Sequence, residues 1–282
     1  MRFKHALIGL AAACLAGLAA PTSAQSRTDE PPPSQCLAIA GALPDVVFAS
    51  AAASENPLSV PDAVTITFEG HSTYLIETPA GVTIATDFSG IYAADPPPRV
   101  VTMNRAHSSH YTLSPDARIE VVLPGWDPGG PEPAEHRVVV DDVYIRNVTT
   151  DIRSWGDAGM VPDANSIFIF EVAGLCIGHL GHLHHELTDA HYAEIGRLDI
   201  VMVPVDGGLT LSHTGMAEIT SRLRSSIVLP MHLRGTRLDS YLSKMGQDFA
   251  IQFLDGNSLT VTVRDLPKRP TIMVPENLAF RG

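Results

Sequence analysis

The chain has 282 residues, of which 45% are hydrophobic, and its formal net charge is −12. Such a length is enough for one sizeable domain. The acidic balance disfavours nucleic acids and anionic membranes as partners, because both repel a negatively charged protein surface.

The N-terminus has the pattern of a secretory signal peptide. Residues 1–5 include the basic Arg2 and Lys4, residues 6–20 are apolar, and a stretch of small residues ends at Ala24. The apolar run is short for a membrane span, and no stop-transfer pattern follows it. We therefore predict a signal peptide over 1–24, no membrane span, and a periplasmic or secreted protein.

The predicted structural elements follow a polar linker. Residues 25–62 contain three consecutive prolines and leave room for one short helix within 35–50. In the domain 63–282, apolar periodicity predicts strands at 64–68, 74–78, 82–87, 99–104, 119–123, 137–140, 143–148, 166–172, 175–179, 199–205, 227–232, 249–253 and 258–263. Capping and periodicity predict helices at 188–198 and 214–225. Hairpins followed by strand–helix–strand units indicate an α/β layered sandwich.

Two cysteines, Cys36 and Cys176, lie beyond the predicted signal peptide. In an oxidising compartment they could form a disulfide. Cys176 lies in an apolar strand, however, and this is equally typical of a buried free thiol. The sequence leaves both alternatives open.

Histidines cluster at the ends of three predicted strands. Four of them fall within seven residues: His179, His182, His184 and His185. His107 and His110 follow another strand, and His232 ends a third. Neutral imidazole is the commonest metal ligand in proteins, and strand ends can deliver ligands to one rim of a β-scaffold. The pattern predicts a metal site, with solvated loop histidines as the alternative.

Five short motifs follow one another in the order of a known fold. They are Gly70-His71-Ser72-Thr73, the strand 84–87 that ends in Asp87, the segment 165–181, Val-Pro-Val at 203–205 and Leu-Pro-Met-His at 229–232. Through them the chain resembles the metallo-β-lactamase fold, and within it the branch of metal-dependent hydrolases related to ascorbate-6-phosphate lactonase. The resemblance covers about residues 63–266. It implies the α/β class and a four-layered αββα sandwich.

The chain departs from this family at four positions of the metal motif. Arg105 and Ser109 replace the first His and the Asp of H-x-H-x-D-H. Thr150 stands where the family has its next His ligand, and His182 stands where it has a bridging Asp. With Arg105 and Thr150, one of the family's two metal shells has lost two of its four ligands, and the bridging carboxylate is also absent.

The shell that remains implies one metal ion. Its ligands by resemblance are His110, His182 and His232, with His107 either a fourth ligand or a hydrogen-bonding partner of the substrate. Three histidines and a water form a competent catalytic zinc sphere, which lowers the pKa of the bound water to about 7. Because the carboxylates are lost, we expect Zn²⁺, or else Cu²⁺ or Ni²⁺, in preference to Mn²⁺ or Mg²⁺.

Four further residues are candidates for substrate contact or for support of the ligands. His71 could line the pocket or be an ordinary turn histidine. Asp87 could orient a ligand histidine or cap a turn. Arg105 could bind an anionic substrate group or pair with a carboxylate. His185 could act in either way, with a plain loop role as the alternative.

Together these residues favour an exported hydrolase with a single zinc ion that acts on a lactone, ester or phosphoester of a small molecule. The alternative is a non-catalytic descendant of the fold that binds a metal or a small ligand. A structural protein without a metal is the third possibility. The substrate itself is not specified, because a fold does not fix its chemistry.

Overall fold

Two β-sheets carry the clustered histidines. The computed structural model describes residues 33–37, 62–92, 95–154, 159–234 and 237–279. The predicted signal peptide lies outside these residues, as does most of the predicted linker with its short helix.

The described strands and helices have the following bounds. The strands are β1 (Val64–Gly70), β2 (Thr73–Glu77), β3 (Thr83–Ala85), β4 (Val100–Met103), β5 (Val121–Pro124), β6 (Arg137–Val140), β7 (Val143–Arg153), β8 (Met160–Val172), β9 (Leu175–His179), β10 (Ile200–Pro204), β11 (Ile227–Met231), β12 (Ala250–Phe253), β13 (Ser258–Val261) and β14 (Thr271–Val274). The helices are α1 (Asp189–Ile195), α2 (His213–Leu223), α3 (Leu238–Leu242) and α4 (Glu276–Ala279), with a 3-10 turn at Val263–Asp265. Among the described residues, no helix is both long and apolar enough to cross a membrane.

The spatial order of the strands explains where the site can form. The first sheet runs β13-β1-β2-β3-β4-β5, and the second runs β12-β14-β11-β10-β9-β8-β7-β6. Strands β9, β10 and β11 pair in parallel, as do β3, β4 and β5. Parallel neighbours end at the same edge of their sheet, so the loops after β9, β10 and β11 share one edge of the second sheet, and the loops after β3 and β4 share one edge of the first.

The core is apolar and shared by both sheets. β1 alternates between buried and partly exposed residues, as a strand with one face on a core does. β9, β10 and β11 are buried throughout, as parallel strands covered on both faces are. A single cluster of buried side chains joins Ile66 and Ile76 of the first sheet to Phe168 and Phe170 of the second, and Met216 of α2 belongs to the same cluster. The predicted α/β sandwich is therefore confirmed.

Several elements differ from the sequence prediction. β7 and β8 extend beyond their predicted ends, through a stretch that contains Pro162 and Asp163. Proline cannot donate to a ladder, and Asp163 has a φ of 50°, so this part has little strand propensity of its own. The prediction also missed β14, α3 and α4, which have four or five residues each. These elements have too few residues to show a hydrophobic period in the sequence. In addition, β14 lies between Pro270 and Pro275.

The two cysteines form a disulfide. The sulfur atoms of Cys36 and Cys176 are bonded, and their Cα atoms lie 5.8 Å apart. The bond ties residues 33–37 to β9, and Gln35 N also donates to Glu171 of β8 at 2.7 Å. The alternative of a buried free thiol at Cys176 is therefore wrong.

Candidate metal centre

Four histidines from different parts of the chain bring their ring nitrogens together. His71 lies in the turn between β1 and β2, His107 and His110 follow β4, and His232 follows β11. One nitrogen from each ring lies within 4.8 Å of the nitrogens of the other three. The backbone N–H of His232 donates to the carbonyl of His71 at 2.6 Å, which ties together the edges of the two sheets.

A buried carboxylate fixes the orientation of His110. His110 Nδ1 donates to Asp87 Oδ2 at 2.7 Å, and Asn104 Nδ2 donates to Asp87 Oδ1 at 2.7 Å. Burial alone would raise the pKa of Asp87, but His110 and the bond from Asn104 hold it well below the usual range. Asp87 is therefore ionised, Nδ1 of His110 carries the ring proton, and Nε2 presents a lone pair.

A second carboxylate stands behind His232. His232 Nδ1 lies 3.5 Å from Asp206 Oδ2, which is long for a hydrogen bond but close enough for attraction between charge and dipole. Burial opposes ionisation of Asp206, yet His232 and the backbone N–H groups of Thr210 and Gly208 lower its pKa to about 2. This arrangement favours the proton of His232 on Nδ1, so that its Nε2 also presents a lone pair.

The two Nε2 atoms of His110 and His232 lie 3.1 Å apart. Two lone pairs at this distance repel each other unless a proton or a cation lies between them. Zinc binds imidazole nitrogen at 2.0–2.1 Å in a tetrahedron, so two such ligands are separated by about 3.3 Å. The observed separation therefore fits a pair of ligands on one ion.

His71 and His107 also present nitrogens without a protein partner. Among the described residues, the Nε2 atoms of both are buried and lack a hydrogen bond. Ser109 Oγ lies 2.7 Å from His107 Nδ1, so the residue that replaces the family's Asp supports a neighbouring ring. Burial and the adjacent histidines lower the pKa of His71 to about 3 and that of His107 to about 4. Both rings are neutral at pH 7 and able to bind a metal.

The donor set is consistent with a transition metal. It consists of neutral imidazole nitrogens, which suit Zn, Cu, Ni and Fe, whereas Mg²⁺ and Ca²⁺ prefer oxygen. The carboxylates of Asp87 and Asp206 stand behind two of the rings, as carboxylates do in carboxylate–histidine–metal triads. Buried nitrogens without partners are costly in a protein that binds nothing there. The residues present therefore fit a metal ion.

His182 lies beside this group but is not one of its four members. Its ring centroid is 4.7 Å from those of His110 and His232 and 5.0 Å from that of His107. Its Nε2 is buried without a hydrogen bond among the described residues, and its Nδ1 lies 2.5 Å from His184 Nε2. The predicted ligands His107, His110 and His232 are thus assembled with His71, while His182 approaches from the side.

Gly181 allows the loop after β9 to reach this position. Its φ is +62°, and an added Cβ would lie 2.3 Å from Asn165 Oδ1 and 2.5 Å from Asn104 Nδ2. The same Asn165 oxygen accepts from the backbone N–H of His182 at 2.7 Å. Asn165 Nδ2 donates to Thr150 Oγ1 at 2.9 Å, so Thr150 supports the loop at the position where the family has a ligand.

The remaining candidate residues are not members of the four-histidine group. Arg105 is exposed and lines a cavity of about 290 Å³ with Trp126 and Asp163, among other residues, and none of the clustered histidines lines it. His185 contacts His184, with ring centroids 6.2 Å apart. His179 accepts from Gly181 N at 3.1 Å, which leaves its Nε2 to donate to the carbonyl of Ser72 at 2.9 Å, a structural role.

Sequence reasoning placed His71 among substrate contacts and missed Asp206. The sequence signal for His71 was its position in the turn directly after a strand; in the structure this turn gives it a φ of 51°, uncommon for a non-glycine residue. The signal for Asp206 was its place just beyond the parallel strand β10, at the edge where the other strand-end groups meet.

Comparison with known proteins gives one family. The model of the family described as Beta-lactamase superfamily domain matches residues 65–232, more than half of the chain. A comparison of the sequence with curated proteins gives no significant match.

Several solved structures are similar to the chain. A Thermotoga maritima protein assigned to the zinc-dependent hydrolases of the metallo-β-lactamase superfamily is 27% identical, with a TM-score of 0.53 over 75% of this chain and 98% of the other. Igni18, a metallo hydrolase from Ignicoccus hospitalis, is 18% identical, with a TM-score of 0.50 over 71% and 98%. A Parabacteroides distasonis protein assigned to the metal-dependent hydrolases is 15% identical, with a TM-score of 0.50 over 65% and 89%. The last two show similarity of fold alone.

Proposed function

Because the chain belongs to the β-lactamase superfamily, we propose that it is an exported hydrolase that holds one zinc ion and cleaves a lactone, ester or phosphoester bond in a small molecule. The metallo-β-lactamase fold and the histidine cluster make a metal-dependent hydrolase the best-supported class. The closer kinship to the branch of ascorbate-6-phosphate lactonase stays a prediction.

The distance of 3.1 Å between the Nε2 atoms of His110 and His232 is the observation that carries the proposal. Asp87 accepts from Nδ1 of His110 at 2.7 Å, and Asp206 lies 3.5 Å from Nδ1 of His232 and attracts its proton, so both rings direct the lone pair of Nε2 inwards. Neutral nitrogen donors favour Zn²⁺ over the harder Mn²⁺ and Mg²⁺. The four assembled nitrogens lie within 4.8 Å of one another, a space suited to one ion.

The residues of the site have separable roles in this proposal. A zinc ion held here would supply Lewis acidity and lower the pKa of a bound water to about 7. Asp87 keeps His110 in the tautomer that can bind the ion through a hydrogen bond of 2.7 Å, and Asp206 favours the same tautomer of His232 across 3.5 Å. One of His71 and His107, whose rings burial keeps neutral, would complete a shell of three histidines and leave the fourth position for water.

The disulfide between Cys36 and Cys176 supports the proposal that the protein is exported. Disulfides persist in oxidising compartments and are rare in the reducing cytosol of mesophiles. A periplasmic or secreted location, with a signal peptide cut after Ala24, also accords with the N-terminal sequence.

One observation favours a second function, in which the metal site is not catalytic. If all four histidines of the group bind zinc together, they fill a tetrahedral shell and leave no position for water. Closed shells of this kind are typical of structural zinc. The two functions differ in whether His71 and His107 are both ligands or whether one of them faces the substrate.

Metal content and activity test the proposal together. Purified protein is dialysed, its zinc is measured by elemental analysis, and the zinc-loaded form is assayed on lactones, esters and phosphodiesters. We expect about one zinc per chain, and loss of both zinc and hydrolysis in His110→Ala and His232→Ala. The control is His191→Gln, whose ring contacts Thr188 at the start of α1. Zinc without hydrolysis would favour the closed site, and absence of zinc would refute the proposal.

A further inference from the structure

A chain of hydrogen bonds behind His182 decides which nitrogen of its ring carries the proton. The backbone N–H of Arg153 points at His184 Nδ1 across 2.6 Å. A backbone N–H can only donate, so Nδ1 of His184 accepts and carries no proton. The one proton of the His184 ring is therefore on Nε2.

The ring proton of His182 is assigned by the same argument. His184 Nε2 lies 2.5 Å from His182 Nδ1, and since the former carries the proton, the latter accepts. The proton of His182 is therefore on Nε2, the nitrogen that is buried beside the cluster without a hydrogen-bond partner among the described residues. Its Nδ1 faces His184, whereas the Nδ1 atoms of His110 and His232 face carboxylates at 2.7 and 3.5 Å.

A protonated ring nitrogen has no lone pair to give to a metal. We infer that His182 is not a ligand but a hydrogen-bond donor, whose Nε2–H serves the substrate oxygen that gains negative charge during hydrolysis. This inference rests on the proposed function, because that oxygen belongs to the substrate of the zinc site. His184 is then a positioning residue in the loop after β9, which fixes the tautomer of His182 because Arg153, at the end of β7, donates to its Nδ1.

The geometry of the ring supports this role. His182 is 1% exposed, so its N–H acts where water competes little. Its ring plane is inclined by 86–89° to the rings of His107, His110 and His232, so it approaches the cluster edge-on. A preorganised donor of this kind strengthens its bond as charge develops on the acceptor, and this lowers the barrier.

This arrangement explains how the replacement of the family's bridging Asp by His182 changes the chemistry of the position. A carboxylate at this position accepts hydrogen bonds and binds cations, whereas an imidazole in this tautomer donates. The position has changed from one that attracts a second cation to one that attracts an anionic oxygen. The expected ligand class is therefore a compound with a carbonyl or phosphoryl oxygen directed at His182.

The tautomer can be measured directly. Long-range proton–nitrogen spectra of ¹⁵N-histidine-labelled protein distinguish protonated from unprotonated ring nitrogens, and His182→Gln assigns the signals. We expect protonated Nε2 and unprotonated Nδ1 in the wild type, both without metal and with zinc. A proton on Nδ1, or zinc directly on Nε2, would overturn the inference.

Zinc affinity provides the second measurement, by competition with a chromophoric chelator. His182→Gln should bind zinc within about threefold of the wild type, whereas His110→Gln should lose at least a hundredfold. His182→Ala should lower kcat by about 10²–10³, the usual effect of removing one such donor, and His182→Gln should recover part of it through its amide N–H. If His182→Gln loses zinc as His110→Gln does, His182 is a ligand and the inference fails while the proposed function stands.

Variants of His184 distinguish a positioning role of this residue from a merely structural one. His184→Leu removes the donor to His182 and should lower kcat without changing KM, and His184→Gln, whose amide can still donate, should restore it. The tautomer signal of His182 should change in His184→Leu and return in His184→Gln. An unchanged signal in His184→Leu would show that the bond from Arg153 does not set the tautomer. A wild type that binds no zinc would overturn the proposed function and this inference together, whereas loss of zinc in His182→Gln alone would overturn only the inference.

Discussion

Replacing Asp87 by Asn should weaken zinc binding without removing any ligand. The carboxylate of Asp87 accepts one hydrogen bond from His110 and one from Asn104, each at 2.7 Å. An amide of the same shape has one oxygen and one NH₂ group. It can therefore accept only one of these two bonds.

Both orientations of the new amide are unfavourable. If its NH₂ faces His110, that ring must accept on Nδ1, its proton moves to Nε2, and the lone pair for the metal is lost. If its NH₂ faces Asn104 instead, two amide donors oppose each other in a fully buried position. A lost hydrogen bond to a charged group costs about 1.5–3 kcal/mol, which corresponds to about a tenfold to hundredfold increase in the Kd for zinc.

The assay is a competition titration of Asp87→Asn against a chromophoric chelator of known affinity. The matched control is Asp199→Asn, since Asp199 is also buried and accepts from a backbone N–H, that of Cys176 at 2.8 Å, but lies outside the cluster. Asp206→Asn should have a smaller effect than Asp87→Asn, because its contact with His232 is longer, at 3.5 Å. If Asp87→Asn binds zinc as tightly as the wild type, the carboxylate does not orient His110 and the reasoning is wrong.

Three further predictions concern stability. In the metal-free protein, burial lowers the pKa of His71 and of His184 to about 3 from 6.5 in the unfolded chain. The contribution of these neutral rings to the free energy of unfolding should therefore be full above about pH 6.5 and should fall as the pH decreases towards 3. The loss should be at most about 1.4 kcal/mol per pH unit for each ring, and less for the partly exposed His71. Equal urea midpoints at pH 7 and pH 5 would contradict this prediction. Replacing Cys36 by Ser opens a loop that spans 140 residues and should lower the free energy of unfolding by about 2–5 kcal/mol, measured by urea denaturation, with an unchanged midpoint as the contrary result. Removing zinc with a chelator should lower stability by about 2.7 kcal/mol relative to protein in free zinc at one hundred times the Kd, and identical melting curves would argue against a bound ion.

The sequence predicted those features of the fold that depend on local periodicity. The alternation in 64–68 and the apolar runs at 199–205 and 227–232 correspond to β1, β10 and β11 within two residues at each end. The positions of His110 and His232 just beyond apolar strands also led to the prediction that the two rings would meet. The short β14 was missed, since four residues between prolines carry no period.

The sequence could not predict features that depend on distant pairs. Whether Cys36 bonds Cys176 depends on a distance across 140 positions that no pattern of residue types reveals. The tautomer of His182 depends on a backbone N–H at Arg153, 31 positions before His184, and on the extension of β7 that the prediction missed. From residue types alone, His182 was predicted to be a metal ligand. Its hydrogen-bonding partners instead place the ring proton on Nε2, where a ligand would need a lone pair.

The negative charge that this candidate metal site retains lies behind its histidines. The family places carboxylates where they can touch the ions, and this chain has Ser109 and His182 at those two positions. Asp87 and Asp206 instead stand behind His110 and His232, buried and with low pKa values. Two carboxylates balance the charge of one Zn²⁺, whereas a second dication would add two uncompensated charges in a buried place, where charge is expensive. The arrangement therefore supports a site for one ion, and it leaves the hydrogen-bond donor of His182 free to act on an oxygen of the substrate.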